Sequence, residues 1–264
     1  MRRLMLLTSV LMLFSAALSA QTVDELIAKS VAAKGGLDKM KATTSSRLTG
    51  NFAAGPMQAG FVEVTKRPNK LRRDITIQGL NLVMAYDGQN GWQIIPFTGK
   101  KDAEPMASDE LKDIQEEADT DGPLVDYKQK GHKVELVGKE KVEGTDAYNL
   151  KVTLKNGDIR NIYLDADSFL PIKTTGKTSR RGTEIKVEST LGDYKEVSGI
   201  LVPFSIQVHL EGADIDSQKI TFEKVEFNVP VDDSVFKMPP PAPAAPADKK
   251  EPAKPDSGAK PPLN

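Results

Sequence analysis

The sequence predicts a mainly β protein with helices, about eleven antiparallel strands in the strand-after-strand spacing of a sandwich or barrel. Three observations predict it. From Gly60 to Gly99, and again from Val134 to Phe227, apolar residues recur at every second position, the period of a strand with one apolar and one polar face. Turn residues punctuate these runs: Arg67-Pro68-Asn69, Asp87 to Gly91, Asn156-Gly157, Gly182, Gly192-Asp193, Gly199 and Gly212. Helical spacing is confined to segments near Thr22 and Ser108. An antiparallel sheet of this size must curl or close.

Both ends fall outside the fold. Residues 1–20 carry Arg2 and Arg3, an apolar run from Leu4 to Leu18, then Ser19-Ala20, the pattern of a secretory signal peptide cut after Ala20. Residues 239–264 hold nine of the 17 prolines and no aromatic residue, so they are expected to form a disordered Pro/Ala/Lys-rich tail. The folded domain is 21–238, large enough for a single core. The 264 residues include no cysteine, which removes disulfides, thiol nucleophiles, thiolate metal sites and acylation of this chain at a cysteine. Lys+Arg number 36 against 37 Asp+Glu, and without Arg2 and Arg3 the formal balance is near −3, against nucleic-acid binding.

In chain order, Thr22 and Glu25 form a capping box. Val23, Leu26, Ile27 and Val31 then line one side of a helix that ends at Gly35-Gly36. Leu37–Lys41 is a short second helical turn. Helices this short need a surface to lie on. Ser46–Phe52 and Met57–Thr65 form a hairpin. It runs into a meander whose apolar positions are Val62/Val64, Leu71/Ile75/Ile77, Leu80/Leu82/Met84/Tyr86 and Trp92/Ile94. Residues 98–107 are irregular. Ser108 caps a helix over Asp109–Ala118, with Leu111, Ile114 and Ala118 on one side. Pro123–Tyr127 is a further helical or turn-like piece. Together 108–127 interrupt the strands and are expected to lie across the sheet as a flap. Strands resume through Val134/Leu136, Tyr148 to Leu154, Ile162/Leu164, Leu170 to Thr174, Ile185 to Leu191, Val202 to Leu210 and Ile220 to Phe227.

Catalytic chemistry finds no supply. His132 and His209 are the only histidines, lie on different strands and have no partner at ligand spacing; His209 is expected to face solvent. Nucleophile elbows, phosphate loops and zinc-protease motifs are absent. Asp165/Asp167 and Asp232/Asp233 sit where aspartate is ordinary turn chemistry. No catalytic residue, metal ligand or cofactor site is nominated. A binding hollow is favoured instead. Ile75, Ile77, Leu82, Met84, Trp92, Ile94, Phe204 and Ile206 are its candidate lining, with Leu111 and Ile114 of the flap above. The same residues equally suit a filled core.

Lys66-Arg67-Pro68-Asn69, followed by Asp87-Gly88, Trp92 and Pro96-Phe97, resembles the LolA family of periplasmic lipoprotein carriers. The resemblance implies an incomplete antiparallel β-barrel whose concave face is covered by a helical lid. It also implies that Arg67 is the lid latch, hydrogen-bonded to the lid until ligand entry breaks those bonds. A guanidinium, with five donors in a fixed fork, suits that task. The implied function is a monomeric, non-enzymatic periplasmic carrier for acyl chains of lipoproteins or lipids, with inner- and outer-membrane transfer partners. A LolA-like sensor or interaction module, and a filled-core structural protein, are the alternatives.

Overall fold

A computed structural model describes residues 21–99, 102–180, 182–213 and 217–241. The expected signal peptide at 1–20 lies outside the described residues, as does the tail from 242 onward.

Thirteen strands form one antiparallel sheet, where the sequence counts about eleven. They are β1 (Ser45–Ala54), β2 (Met57–Lys66), β3 (Lys70–Ile77), β4 (Leu80–Tyr86), β5 (Gly91–Ile94), β6 (Glu104–Pro105), β7 (Lys133–Val142), β8 (Thr145–Thr153), β9 (Ile159–Asp165), β10 (Pro171–Arg180), β11 (Thr183–Val197), β12 (Ile200–Glu211) and β13 (Ser217–Phe227). Their order is β6-β5-β4-β3-β2-β1-β13-β12-β11-β10-β9-β8-β7. Each strand lies beside its neighbours in sequence, except that β1 pairs with β13 and that β6 and β7 form the two opposite edges. The two-residue β6 falls in the segment expected to be irregular, and it is too short to show any periodicity. Gly192-Asp193 is not a turn: β11 continues through it in unbroken register with β12, and the chain reverses at Ser198-Gly199.

Among the described residues three α-helices accompany the sheet: α1 (Val23–Ala33), α2 (Leu37–Ala42) and α3 (Ser108–Glu117). At α1 the Thr22 capping box forms in both directions. At α3 the cap position is Ala107 rather than Ser108. Ala107 has no side-chain oxygen to offer, and the Glu110 carboxylate accepts from its backbone N–H instead, at 3.0 Å. The reach-back glutamate is enough to start the helix one residue earlier. Pro123–Tyr127 is a turn.

The sheet is bent into an open half-barrel, and α3 proves it. Glu116 reaches Arg160 on β9, and the adjacent Glu117 reaches Arg73 on β3. Seven strand spacings separate β3 from β9 in the sheet order, about 33 Å if flat. Two neighbouring glutamates cannot span that distance, so the two wings must fold toward each other with α3 between them.

Residues paired directly across strands share a face. The face turned to the helices carries Phe61, Leu71, Arg73, Ile75, Ile77, Leu82, Met84 and Tyr86 on one wing. On the other wing it carries Leu150, Val152, Ile162 and Leu164. Two apolar clusters plug its ends. Leu26 and Ile27 of α1, with Leu124, pack on Leu150, Val152, Ile162 and Leu164. Ile114 and Ala118, with Met106, pack on Leu71 and Tyr86. Glycine is required where the wings meet: a Cβ on Gly50 would lie 2.1 Å from the Thr221 carbonyl oxygen, beside a register shift between β1 and β13.

Candidate functional site

Arg67 directly follows β2, and its guanidinium makes four hydrogen bonds. Nε donates to the Thr43 carbonyl at 2.6 Å, and Nη2 donates to the Met40 carbonyl at 2.8 Å. Both acceptors are carbonyls at the C-terminal end of α2, where Met40 otherwise receives only the Thr43 amide, at 3.2 Å. Nη1 and Nη2 also grip the Asp121 carboxylate in a two-pronged pair at 2.9 and 2.6 Å. Asp121 lies in the segment that follows α3, so one guanidinium ties a strand end, a helix end and the flap together. Lys41 adds a bond to Asp121 at 2.7 Å and one to Asp126 at 2.6 Å. The Arg67 guanidinium holds the Asp121 carboxyl well below the usual carboxylate range, with Lys41 helping against burial. Asp121 raises Arg67 in return. Asp121 was not singled out in the sequence. Its only local signal is its place in Asp119-Thr-Asp-Gly122, a composition that reads as a turn.

α3 is braced on both wings. On one, Arg160 donates Nε and Nη2 to the two Glu116 oxygens at 2.8 and 2.7 Å. Thr178 donates to Asp113, and Lys112 to Asp158. On the other, Arg73 donates Nη2 to Glu117 at 2.8 Å and pairs closely with Glu63. Burial opposes the Arg73 charge, but Glu117 and Glu63 more than offset it. Burial pushes Glu116 up, and Arg160 offsets part of that rise. Beneath the polar braces Leu111 meets Met106 and Gly91. A Cβ on Gly91 would sit 2.8 Å from Leu111 Cδ1.

The candidate lining residues divide. Ile75, Ile77, Leu82 and Met84 stand together on the helix-facing side of β3 and β4. Phe204 and Ile206 stand on the same side: Ile206 pairs with Ile220, and Phe204 and Phe61 both meet the Phe222 ring edge-on, at 6.4 and 5.8 Å. Ile75, Ile77, Leu82, Met84, Ile206, Ile220 and Phe222 are neither buried nor fully exposed. Met84 packs against the Leu71–Tyr86 cluster; the others belong to neither cluster and form a half-covered apolar trough beside it. Leu111 and Ile114 lie on α3, Ile114 buried against Leu71 and Tyr86 and Leu111 packed beside it.

Trp92 and Ile94 are corrections. Trp92 pairs with Ala85 and Ile94 with Val83, which places both on the face away from the lid. There Trp92 is buried with Val83 and Ala85, and its indole N–H donates to the Phe236 carbonyl at 2.7 Å. The residues after β13 cross this outer face: Phe236 is fully buried, and Lys66 and Lys70 both pair with Asp233. Alternation within β5 could not say which face is inner, because both faces of this wing are covered. Arg72 lies on the outer face too, paired with Asp74 and 5.8 Å from the Trp92 ring.

A cleft of about 560 Å³ opens among β9–β12, lined by Asn161, Thr175, Lys177, Glu188 and His209. Most of these residues face away from the lid, and they pair among themselves, as Lys177 does with Glu184. Its lining also includes Ile159 and Val187. His209 is exposed. His132 Nδ1 accepts from the Lys155 amide at 3.0 Å, a strand-end contact. Among the described residues no cluster of three or more metal-ligating side chains occurs, and no helix is long and apolar enough to cross a membrane.

A family model described as an uncharacterized protein family matches residues 105–239, just over half of the chain. No curated protein matches the sequence. Solved structures with a similar fold include a LolA superfamily protein from Nitrosomonas europaea, 13% identical, TM-score 0.57, covering 83% of this chain and 98% of that one. A DUF1329 family protein from Desulfovibrio piger is 15% identical, with TM-score 0.56 and coverage of 81% and 97%. A domain described as an outer membrane lipoprotein-sorting protein, from Vibrio parahaemolyticus, is 12% identical, with TM-score 0.51 and coverage of 80% and 97%. The fold is therefore LolA-like.

Proposed function

We propose that this chain, which belongs to the uncharacterized family whose model matches residues 105–239 and has a LolA-like fold, is a non-enzymatic periplasmic carrier of acyl chains. One observation carries the reading. The apolar trough of Ile75, Ile77, Leu82, Ile206 and Phe222 is left half-covered beneath a flap held by polar bonds. Burying an acyl chain there gains roughly 25 cal/mol per Å² of apolar surface removed from water. The bonds that must break to admit it are individually modest, about 1–3 kcal/mol each, so entry and release can balance.

In this reading the flap, residues 108–127, is the moving part and Arg67 is its latch. The signal peptide at 1–20 directs the chain to the periplasm, the mature domain acts as a monomer, and membrane partners load and unload it. The cargo is an acylated lipoprotein or a lipid, and no bond is made or broken.

The test is a lipid census. The full chain is expressed in a two-membrane bacterium, purified from the periplasm without detergent, and analysed by native mass spectrometry. The emptied protein is titrated with a fluorescent acyl peptide in parallel. A protein mass that begins at Gln21 with a near-stoichiometric acyl adduct is expected. Absence of both adduct and saturable binding rejects the carrier and favours the interaction module. An Arg67→Leu variant separates the latch from the hollow: binding persists while release changes, and unchanged release removes Arg67 from the mechanism.

A further inference from the structure

α3 is held to its two walls by different chemistry. Toward β3 and β4 the contact is apolar: Ile114 and Ala118 are buried against Leu71 and Tyr86, with Leu111 packed beside them. Toward β9 and β10 it is polar. Arg160 holds both oxygens of Glu116, Thr178 donates to Asp113 at 2.7 Å, and Lys112 pairs with Asp158, just before β9, at 2.8 Å. Among the described residues no α3 side chain enters the apolar cluster on β8 and β9, whose helical members come from α1.

Arg160 suits a seam that parts and closes again. Gly176 stands opposite it on β10, and a Cβ there would lie 2.6 Å from Arg160 Cδ, so glycine lets the side chain lie flat on the sheet. Its Nη1 donates to the Lys177 and Ile159 carbonyls at 2.9 and 3.1 Å. When Glu116 leaves, the guanidinium keeps both of those bonds and stays on the wall. Charged groups that part here pass into water, which solvates them. Parting the other wall would instead expose Ile114 and Ala118, apolar surface that water disfavours. The less costly motion swings α3 away from β9 and β10 while Ile114 holds it to β3 and β4.

The trough leads to the same seam. Cross-strand pairing carries its floor from Phe52 on β1 through Ile220 and Ile206 to Leu191 on β11, all on the helix-facing side. β10, with Gly176 and Thr178, is the next strand. We propose that the acyl ligand enters and leaves through the polar seam between α3 and β9–β10, with the Ile114 contact as the hinge. This rests on the carrier reading and adds the route to it. The Arg67–Asp121 tie lies beyond the C-terminal end of α3 and limits the swing.

The chain has no cysteine, so introduced pairs are its only thiols. Two double variants of the full chain put a pair across the seam, Asp113→Cys with Thr178→Cys and Lys112→Cys with Asp158→Cys. A third, Gln93→Cys with Glu110→Cys, joins α3 to β5 on the other wall, where the native side chains meet at 2.8 Å. Each is emptied of lipid and either bridged by a short bis-maleimide or capped at both thiols with N-ethylmaleimide. Uptake of a fluorescent acyl peptide is then followed by stopped flow. Bridging either seam pair is expected to slow uptake about tenfold or more relative to the capped form of the same variant, whereas bridging positions 93 and 110 changes it by less than about twofold. The capped forms control for damage by the substitutions themselves. A seam bridge that leaves uptake unchanged overturns the proposal, and so does a bridge between 93 and 110 that slows uptake as much as the seam bridges do. In both cases the capped proteins still bind, and the carrier stands. A wild-type chain that takes up no probe overturns the carrier reading and this proposal together.

Discussion

Arg67 concentrates more cross-chain bonding than any other single group near the flap, and its environment explains why an arginine is needed. Its acceptors are two carbonyls and a carboxylate set around a planar fork, a geometry that a lysine ammonium cannot reproduce. Replacing it removes a donor from the Thr43 carbonyl, leaves the Met40 carbonyl with only the Thr43 amide, and leaves Asp121 with only Lys41. Arg67→Lys is therefore expected to destabilise by about 1–3 kcal/mol, read from denaturant midpoints, with faster amide exchange across 119–127. The pH dependence follows from Asp121. Its carboxyl is depressed in the folded state, so its contribution to stability is present above the unfolded value of about 4 and lost as pH falls through the lower folded value. The gap in melting temperature between wild type and Asp121→Asn should accordingly narrow as pH drops from 6 toward 3. A constant gap would mean that the Arg67 pair does not set that carboxyl. Trp92 supplies an independent check. It is the only tryptophan and is sealed on the outer face under Phe236, so acyl ligands should leave its emission unchanged. A ligand-dependent shift would put the ligand on the wrong side of the sheet.

At the scale of elements, α3 combines a small apolar contact with braces on both wings. Glu116 and Glu117 point to opposite walls because successive helical positions differ by about 100°, so one helix closes a gap between two wings. Ile114 is the principal apolar anchor, and Ile114→Ala should cost about 2 kcal/mol or more. The loss should appear first as local opening, read as faster amide exchange over 108–118 with the strands still protected. Equal loss of protection in β1 and β13 would show that the flap and the sheet unfold as one unit, and that no separate lid exists. Glu116 titrates with the opposite sign to Asp121. Its folded value is raised by burial, so its contribution is greatest below the unfolded carboxylate range and falls as pH rises through the folded value.

At the scale of the whole molecule, an open thirteen-strand sheet cannot satisfy its own concave face. α1 and α3 fill the two ends, and the middle stays half-covered. Filling the trough with an alkyl chain removes apolar surface from water, so acyl binding should show a negative heat-capacity change in calorimetry between about 10 and 35 °C. A change indistinguishable from zero would locate binding outside the trough.

The sequence by itself determined the elements. Two-residue alternation marked the strands, the Thr22–Glu25 pair marked the first helix, and the polar face of 108–118 marked an element lying on a surface. The Lys66–Asn69 motif pointed to Arg67, whose bonds to helix-end carbonyls the structure contains. Only the tertiary structure decided which face is which. Alternation specifies two faces of a strand but not which is inner, and in β5 both are covered, so Trp92 and Ile94 were expected on the wrong side. The partners of charges were equally hidden. Asp121 is 54 residues from Arg67, and Glu117 is 44 from Arg73. Such pairs exist because the sheet curls and brings distant strands under one helix, a consequence of closure that no local pattern encodes.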